Sequence, residues 1–340
     1  MSEPESRFYI ISKTGKLDKT DSLTEALAAT SKDAYIWLDY TQPTREQLSA
    51  LIEPLGLHPL SIEDSTDDEQ IPKMEDFLTY TFMIFNAFEF VDATLRVHEL
   101  DFFIGNNFLI TVSNRDSKGQ SIFKDFERFI ELESTKIQQG PSFLLYLLLD
   151  KVVDNKFLIL EALEEKLDLD EETILTDLAD FSPADLLNTR KDLLIIRKTL
   201  FYEREIIGKI TRRDSPFFSE KVVMYYRDIY DHLSKYYELT ESARDLVTSL
   251  MEMYLSMLNN QMAKAANQTN AIMRRLTLIT TIFMPLTLLS GIGGMSEFTM
   301  ITGAENWRIA YFALFGIMFV IAIINWFLLQ RLEKKVSNEE

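Results

Sequence analysis

The sequence predicts an α+β membrane protein, with an N-terminal α/β domain, long helices after it and two transmembrane helices at the C-terminal end. Three observations predict this class. Short β-rich runs are interleaved with helical segments over residues 1–120, a 3.6-residue apolar period continues from residue 121, and two long uncharged runs lie near the end of the 340-residue chain.

The first 120 residues contain five runs that are rich in β-branched and aromatic residues and therefore predict strands. They are Phe8–Ser12, Tyr35–Tyr40, Tyr80–Phe90, Leu100–Ile104 and Phe108–Ser113. Helical segments are predicted near Leu23–Thr30 and Arg45–Leu55. Asn106 and Asn107, which follow Gly105, predict a hairpin turn between the last two strands. We expect a compact domain built on one sheet.

Three long helices are predicted in the next part of the chain. Pro141 stands where proline commonly begins a helix, and the apolar period after it continues to about residue 178. Ser182 is a predicted N-cap for a second helix, which ends near Ile210. From Ser219 to Met295 the one helix breaker is Pro285, inside an uncharged run where membrane helices tolerate kinks. A helix this long needs packing partners along its length.

The charge of the chain is unevenly divided. The net charge is −18, yet residues 270–340 hold six basic and five acidic side chains, while residues 1–269 hold 29 basic and 48 acidic ones. An acidic body repels nucleic-acid phosphates, so we expect no nucleic-acid partner. This negative charge is typical of an acidic soluble protein or of a protein that binds or transports cations. The absence of cysteine excludes a disulfide framework and a thiolate metal site.

The two uncharged runs predict a transmembrane hairpin. Leu276–Met295 holds 20 residues and Ile309–Leu329 holds 21, and either can cross a hydrocarbon core of about 30 Å. The alternative, two buried helices of a soluble protein, fits poorly with two such runs that are 13 residues apart at one end of the chain. Basic residues flank the pair: Arg274, Arg275, Arg331, Lys334 and Lys335. The positive-inside rule then predicts a multi-pass protein of the plasma (bacterial or archaeal inner) membrane, with both termini in the cytoplasm.

Motifs of the common enzyme classes are missing from the sequence. His58, His98 and His232 are scattered without ligand spacing, and neither a phosphate-binding G-x-x-x-x-G-K-[ST] loop nor a G-x-S-x-G elbow occurs. We therefore expect the three histidines to be structural and the protein not to be an enzyme. A cation moved inward would have to follow its electrochemical gradient.

The first uncharged run is the more polar of the two, and a set of its residues recurs at three- and four-residue spacing. The set contains small and hydroxylated residues and one methionine: Thr277, Thr280, Thr281, Met284, Thr287, Gly291 and Gly294. One interpretation is helix packing, which membrane interfaces achieve through such residues. The other is a polar lining for ions. Because one helix cannot enclose a path, the second interpretation requires several copies around an axis.

Several motifs now form one pattern. The first run reads T-I-F-M-P-L-T over 281–287 and G-I-G-G-M over 291–295, and H-P-L-S-I-E-D over 58–64, Y-L-L-L-D over 146–150 and Y-R-D-I-Y-D-H over 226–232 precede it. In this order the chain resembles the CorA family of divalent cation channels over nearly its whole length. The resemblance implies a homopentamer, with a funnel of cytoplasmic α/β domains and stalk helices and a pore lined by the first membrane helix.

The patterns described above give the domain organisation, and the resemblance implies the pore residues. The domains are an α/β domain over 1–120, a helical stalk over 121–275, the first membrane helix over 276–295, an external loop over 296–308, the second membrane helix over 309–329 and a basic tail over 330–340. The implied pore positions are Ser296, Gly294, Thr287, Met284, Leu276, Met273, Asn270 and, lower in the stalk, Glu252. Apolar rings can gate by dewetting, and polar rings can hold a hydrated ion.

The outer mouth departs from the family pattern. The family signature is Gly-Met-Asn, whereas this chain has Gly294, Met295 and Ser296. Serine is shorter than asparagine and makes a wider, weaker ring for the hydrated Mg²⁺. Glu297 and Glu305 would concentrate cations at this mouth, unless they are ordinary solvated acids. Mg²⁺ is the expected substrate, with Co²⁺ and Ni²⁺ as further candidates, and a ZntB-like transporter of Zn²⁺ is the alternative.

Regulation is implied by matches to acidic residues of the family. Asp64 and Asp228 match acids that bind regulatory Mg²⁺ across a subunit boundary, with Glu63 and Asp150 as neighbours. Loss of that Mg²⁺ would let like charges repel and favour opening. The alternatives are a solvated acidic face and, for the whole protein, a membrane-anchored cation-sensing assembly without transport. A further acidic run over 161–185 has no assigned role.

Overall fold

The computed structural model of the chain describes residues 4–30, 34–67, 70–91, 94–124, 126, 129–130, 133, 136–295, 300, 303 and 305–337. These residues form two compact units, one that ends at Tyr254 and one that begins at Leu255. The first unit holds a sheet and its covering helices. The second holds the end of a long helix and a further apolar helix, so the predicted fold class is confirmed.

Within the described residues, seven strands form one sheet. They are β1 (Glu5–Ser12), β2 (Leu17–Thr20), β3 (Ala34–Thr41), β4 (Met74–Asp76), β5 (Tyr80–Val91), β6 (Thr94–Gly105) and β7 (Phe108–Ser113). Their order is β2-β1-β3-β7-β6-β5-β4, in which β3 and β7 run parallel and the other neighbours run antiparallel. All five predicted strands are present, and Asn106 and Asn107 join β6 to β7 as predicted.

Local features of the N-terminal unit differ from the sequence prediction, among them a short helix over Pro59–Asp64 that was not predicted. β2 and β4 were not predicted, because the segments L-D-K-T and M-E-D are short and lack the apolar alternation of a half-buried strand. The single helix predicted over Arg45–Leu55 is two helices, α2 (Arg45–Ser49) and α3 (Ile52–Leu55). Pro54 explains the break, since a continuous helix would need a backbone N–H that proline lacks.

Helices cover both faces of the sheet. On one face, α1 (Leu23–Ala29), α2, α3 and α4 (Pro59–Asp64) enclose a core that includes Leu38, Leu48, Ile62 and Phe103. On the other face, α5 (Pro141–Thr176) packs against β3, β5, β6 and β7. Covering on both faces explains why the central strands are buried along nearly their whole length rather than alternately.

The long helices follow the sequence prediction closely. α5 begins at Pro141, α6 spans Pro183–Thr211, α7 spans Glu220–Gly293 and α8 spans Trp307–Ser337. The Ser182 hydroxyl caps α6 by accepting a hydrogen bond of 3.4 Å from the backbone N–H of Asp185. α7 contains 74 residues and includes Pro285 in its interior. The end of α7 and most of α8 are long and apolar enough to span a membrane.

A buried ion pair joins α5 to α6. The Lys156 ammonium lies 2.6 Å from both carboxylate oxygens of Glu203, and neither side chain has measurable exposure. Glu203 also accepts a hydrogen bond of 3.0 Å from the backbone N–H of Asn86 in β5. The ammonium lies 4.6 Å from the ring centroid of Phe88. The pair therefore ties two helices and the sheet together at one point.

Removal of Lys156 is expected to destabilise the protein strongly. Lys156→Met leaves the Glu203 carboxylate buried without a cation, which costs about 3–5 kcal/mol of unfolding free energy. The matched variant Lys156→Met/Glu203→Gln removes the charge and keeps an acceptor for Asn86, so it should recover most of the loss. Urea unfolding in detergent micelles, followed by circular dichroism, measures the difference. Equal stability of the two variants would contradict this explanation.

Candidate functional site: a membrane helix face and a cytoplasmic acidic cluster

The first candidate site is one face of the membrane part of α7. The predicted pore positions of the C-terminal unit are all exposed: Asn270, Met273, Leu276, Met284, Thr287 and Gly294. On an ideal helix they occupy an arc of about 120°. The apolar members are bare in the single chain, with Met284 72% exposed and Leu276 61% exposed.

The opposite face of this helix packs against α8. The Tyr311 hydroxyl donates a hydrogen bond of 2.9 Å to the carbonyl oxygen of Gly293. A Cβ at Gly293 would lie 2.3 Å from the Leu314 side chain, so a glycine lets the two helices approach here. Half-buried residues continue this face toward the N-terminal end of the membrane run: Leu278, Ile282, Pro285, Leu286 and Leu289. Gly293 lies about 160° from the centre of the predicted pore face.

The threonines of the pore face keep an oxygen available. Thr287 donates its hydroxyl proton to the carbonyl oxygen of Phe283 at 2.9 Å, and Thr277 and Thr280 make the same contact to the residue four positions earlier. A hydroxyl that donates back to its own helix retains lone pairs for another donor or a cation. The exposed face thus combines apolar methionine and leucine side chains with outward acceptor oxygens.

The remaining predicted pore and mouth residues lie in different surroundings. Glu252 is exposed on the part of α7 that belongs to the N-terminal unit. Glu305 is exposed just before α8 begins. Ser296 and Glu297 lie outside the described residues, so their positions stay predictions.

The second candidate site is an acidic cluster between α5 and α7. Asp150 and Asp154 are four residues apart on α5, and Asp228 and His232 are four residues apart on α7, so each pair lies on one face of its helix. Ligand atoms of Asp150, Asp154 and His232 all lie within 4.8 Å of one another. This arrangement could hold a metal ion.

Aromatic packing brings these two helix faces together. The Tyr226 hydroxyl of α7 donates a hydrogen bond of 2.8 Å to the carbonyl oxygen of Ser142 in α5. Farther along the helices, the rings of Phe157 and Tyr236 stack with their centroids 5.6 Å apart. The acidic cluster lies between these two contacts in the sequence of both helices, which fixes its four side chains opposite one another.

The electrostatics of the cluster favour a bound cation. Burial and, after it, the charges of Asp154 and Asp228 raise the pKa of Asp150 to about 6, and the charge of His232 opposes the rise. Burial and the same carboxylates raise the pKa of Tyr146 to about 12. His232 Nδ1 is buried and, within the described part of the chain, has no hydrogen-bonding partner. Carboxylates close to a free imidazole nitrogen are suitable ligands for divalent metals.

The structure brings together only some of the predicted metal residues. Asp150 and Asp228 are close enough for the charge of Asp228 to raise the pKa of Asp150. Asp64 instead pairs with Lys73 at 2.6 Å, and Glu63 pairs with Arg45 at 3.3 Å. Asp154 and His232 were missed, and the histidine was interpreted as structural. The four-residue spacing in D-K-V-V-D and D-I-Y-D-H could have indicated them. What the sequence lacks is the information that these two helices pack together.

Comparison with known proteins identifies the family. The family profile described as "CorA-like Mg2+ transporter protein" matches residues 32–331. The "Putative metal ion transporter YfjQ" of Bacillus subtilis is 31% identical over 296 residues, which are 86% of this chain and 88% of the relative. The "Cobalt/magnesium transport protein CorA" of Thermotoga maritima is 30% identical over 313 residues, 90% of this chain and 85% of the relative.

A solved structure has the same fold. The CorA magnesium transporter from Methanocaldococcus jannaschii is 26% identical, with a TM-score of 0.68 over 97% of this chain and 99% of that one. The match includes both the sheet-containing unit and the membrane helix pair, and it agrees with the family profile and with the two relatives. The chain therefore belongs to the CorA-like Mg²⁺ transporter family and is a membrane transporter of divalent cations.

Proposed function

We propose that this chain forms a homopentameric channel that conducts Mg²⁺ into the cytoplasm along its electrochemical gradient, and that it is not an enzyme. The observation that carries the proposal is the exposed face of the first membrane helix. α8 occupies the opposite side, so the face with Met284 and Thr287 is available for other copies of the chain. Several copies around an axis would turn the face into a closed lining.

Features of the two units support the direction and the driving force. We propose that both termini and the acidic body are cytoplasmic, with domain limits at residues 120, 275, 295, 308 and 329 as predicted. Glu297 and Glu305 would then attract cations at the external mouth. An inside-negative potential favours inward movement of a divalent ion by about 4.6 kcal/mol per 100 mV.

The cytoplasmic cluster supports control by the same ion. We propose that Mg²⁺ bound by Asp150 and Asp228, with Asp64 and Glu63 of a neighbouring copy, holds the closed state. Asp154 and His232 add ligands on the α5 and α7 side of that boundary. When internal Mg²⁺ falls, the uncompensated carboxylates repel and the ring loosens, which favours opening.

Transport of Zn²⁺ is the second candidate function. Ser296 in place of the family asparagine favours it, because a shorter ring holds the hydration shell of Mg²⁺ less well. The imidazole of His232 also suits Zn²⁺ or Co²⁺ better than Mg²⁺. A membrane-anchored sensor without transport is the third candidate, and it predicts no flux of any ion.

Ion uptake by purified protein in liposomes tests the proposal. Mg²⁺, Zn²⁺, Co²⁺ and Ni²⁺ are each supplied outside at an inside-negative potential, with protein-free liposomes as the control. We expect Mg²⁺ uptake that the other three ions reduce by competition. Zn²⁺ uptake without Mg²⁺ uptake would replace the substrate, and silence for all four ions would favour the anchored sensor. Asn270→Ala should change the flux of a transporter and leave a sensor unaffected.

A further inference from the structure

The C-terminal end of α7 is held by a side chain of α8. The last carbonyl groups of a helix have no donor within that helix. For Gly293, the last residue of α7, the structure supplies one from outside, because the Tyr311 hydroxyl donates to its carbonyl oxygen at 2.9 Å. Tyr311 lies 18 positions farther along the chain, so the bond joins the two sides of the predicted external loop. It fixes the point at which the chain leaves the first membrane helix.

The bond holds one end of a single peptide group. The carbonyl of Gly293 and the N–H of Gly294 belong to the same planar unit. This N–H donates to the carbonyl oxygen of Ser290 at 3.0 Å. Both polar atoms of the peptide are therefore engaged, one by α8 and one by α7 itself. A peptide plane held at both polar atoms has a defined orientation, which also sets the direction of the chain that follows.

The sequence at the end of α7 makes this bond important. Gly291, Gly293 and Gly294 are three glycines within four residues. Glycine has the most backbone freedom of all residues, and only proline is less favourable inside a helix. Without a donor for the Gly293 carbonyl, this end of α7 would fray. The missing Cβ of Gly293 also makes room for α8, since a Cβ there would lie 2.3 Å from the Leu314 side chain.

The ring that carries the hydroxyl is itself held in place. Trp307 lies four residues before Tyr311 and hence on the same face of α8. The two rings pack edge to face, with their centroids 6.5 Å apart and their planes at 77°. Aromatic pairs favour this arrangement. The position of the Tyr311 hydroxyl is therefore set by ring packing as well as by the hydrogen bond.

Tyr311 lies behind the predicted ion path and next to residues that face it. Gly293 is about 160° from the centre of the predicted pore face, which places the Tyr311 hydroxyl on the far side of α7. Gly294 follows directly and Ser296 comes two residues later, and both are predicted pore positions. Backbone and side-chain oxygens at a constriction select ions by how well they match the hydration shell. The orientation of the preceding peptide thus affects the oxygens that an ion meets.

We propose that Tyr311 is a positioning residue of the outer mouth. Its hydroxyl holds the peptide between Gly293 and Gly294, and so sets where Gly294 and Ser296 lie around the path. This position decides how well the mouth binds hydrated Mg²⁺. The inference rests on the proposed transport function and deepens it, because it names a residue outside the pore face that shapes the mouth.

Mg²⁺ uptake by Tyr311→Phe in liposomes tests the inference, since the variant keeps the ring and loses the donor. We expect the Mg²⁺ concentration for half-maximal uptake to rise at least about threefold, and the maximal rate to change by less than about twofold. A merely structural role would lower the maximal rate through fewer working channels and leave the half-maximal concentration unchanged. Hydrogen exchange of the backbone over residues 290–295 should also be faster in the variant, because the end of α7 frays.

Two further variants make the test specific. Phe312→Leu changes the neighbouring side chain, which is 81% exposed, and should leave the half-maximal concentration unchanged. Gly293→Ala keeps Tyr311 but places a Cβ against Leu314, so it should raise the half-maximal concentration as well. It carries the test if Tyr311→Phe does not fold or does not transport.

Two kinds of failure are distinguishable. Wild-type values of the half-maximal concentration or of hydrogen exchange in Tyr311→Phe would overturn the inference alone, as would a wild-type half-maximal concentration in Gly293→Ala where that variant carries the test. Absence of uptake by the wild type for all four ions would overturn the proposed function, and this inference with it.

Discussion

Uptake through the double variant Asp64→Lys/Asp228→Lys is expected to be independent of internal Mg²⁺. In the wild type, Mg²⁺ inside the liposomes should slow uptake, because the bound ion holds acidic faces of neighbouring copies together. Ammonium groups cannot ligate a cation, so the variant has no regulatory ion to lose. The lysines at these positions also repel each other across the boundary, which favours the open state.

The contacts of Asp64 and Asp228 within one chain predict different local effects for the two substitutions. Asp64 is paired with Lys73, so Asp64→Lys also places two ammonium groups side by side. Asp228→Lys instead places an ammonium beside Asp150, whose raised pKa records the crowding of carboxylates there. The first change should loosen its surroundings, whereas the second removes repulsion within its own chain. The loss of regulation therefore tests the contact between chains rather than the stability of one chain.

The measurement is Mg²⁺ uptake into liposomes with and without millimolar internal Mg²⁺. We expect the variant to give rates within about twofold of each other in the two conditions, while the wild type is clearly slowed. Asp18→Lys, an equal change of charge on the exposed edge strand β2, should be slowed like the wild type. If internal Mg²⁺ slows the double variant as much as the wild type, Asp64 and Asp228 do not sense the ion.

Much of the fold could be predicted, because its signals are local. The strands around Tyr35–Tyr40 and Phe108–Ser113 are rich in β-branched and aromatic residues, and Ser182 and Pro183 mark the start of α6 by local capping chemistry. The parallel pairing of β3 with β7 could not be predicted, since these segments are about 70 residues apart and three strands of the same sheet lie between them in the chain. β2 and β4 were missed because their stability comes from their neighbours in the sheet.

The candidate sites divide in the same way. The pore face of α7 follows from the helical period together with the resemblance to the CorA family, and it stays a prediction. The cluster with Asp154 and His232 depends on how α5 packs against α7. Such juxtapositions of distant segments are properties of the packed structure and have no local sequence signal.

The second large effect concerns Met284 and uses the absence of cysteine from the chain. A single introduced cysteine is the one target for a cationic thiol reagent, so its position alone decides the outcome. Met284→Cys places the thiol on the predicted pore face, where Met284 is 72% exposed. Several added positive charges at one constriction would raise the barrier to a divalent cation by several kcal/mol, since each pair costs about 1–4 kcal/mol at 4 Å.

Ile282→Cys is the matched control. Ile282 is two residues away on the half-buried side of the same helix, the side on which Gly293 contacts Leu314 and Tyr311. A reagent attached there would not face the ion path. Both variants should transport Mg²⁺ before treatment, and a reductant should restore the uptake that the reagent removes.

Mg²⁺ uptake by these two variants, before and after the reagent, tests most directly the claim that cations pass along the exposed face of the first membrane helix. We predict a loss of at least about tenfold in Met284→Cys and none in Ile282→Cys. Full uptake by Met284→Cys after mass spectrometry has shown complete modification, or equal block of both variants, would contradict the claim.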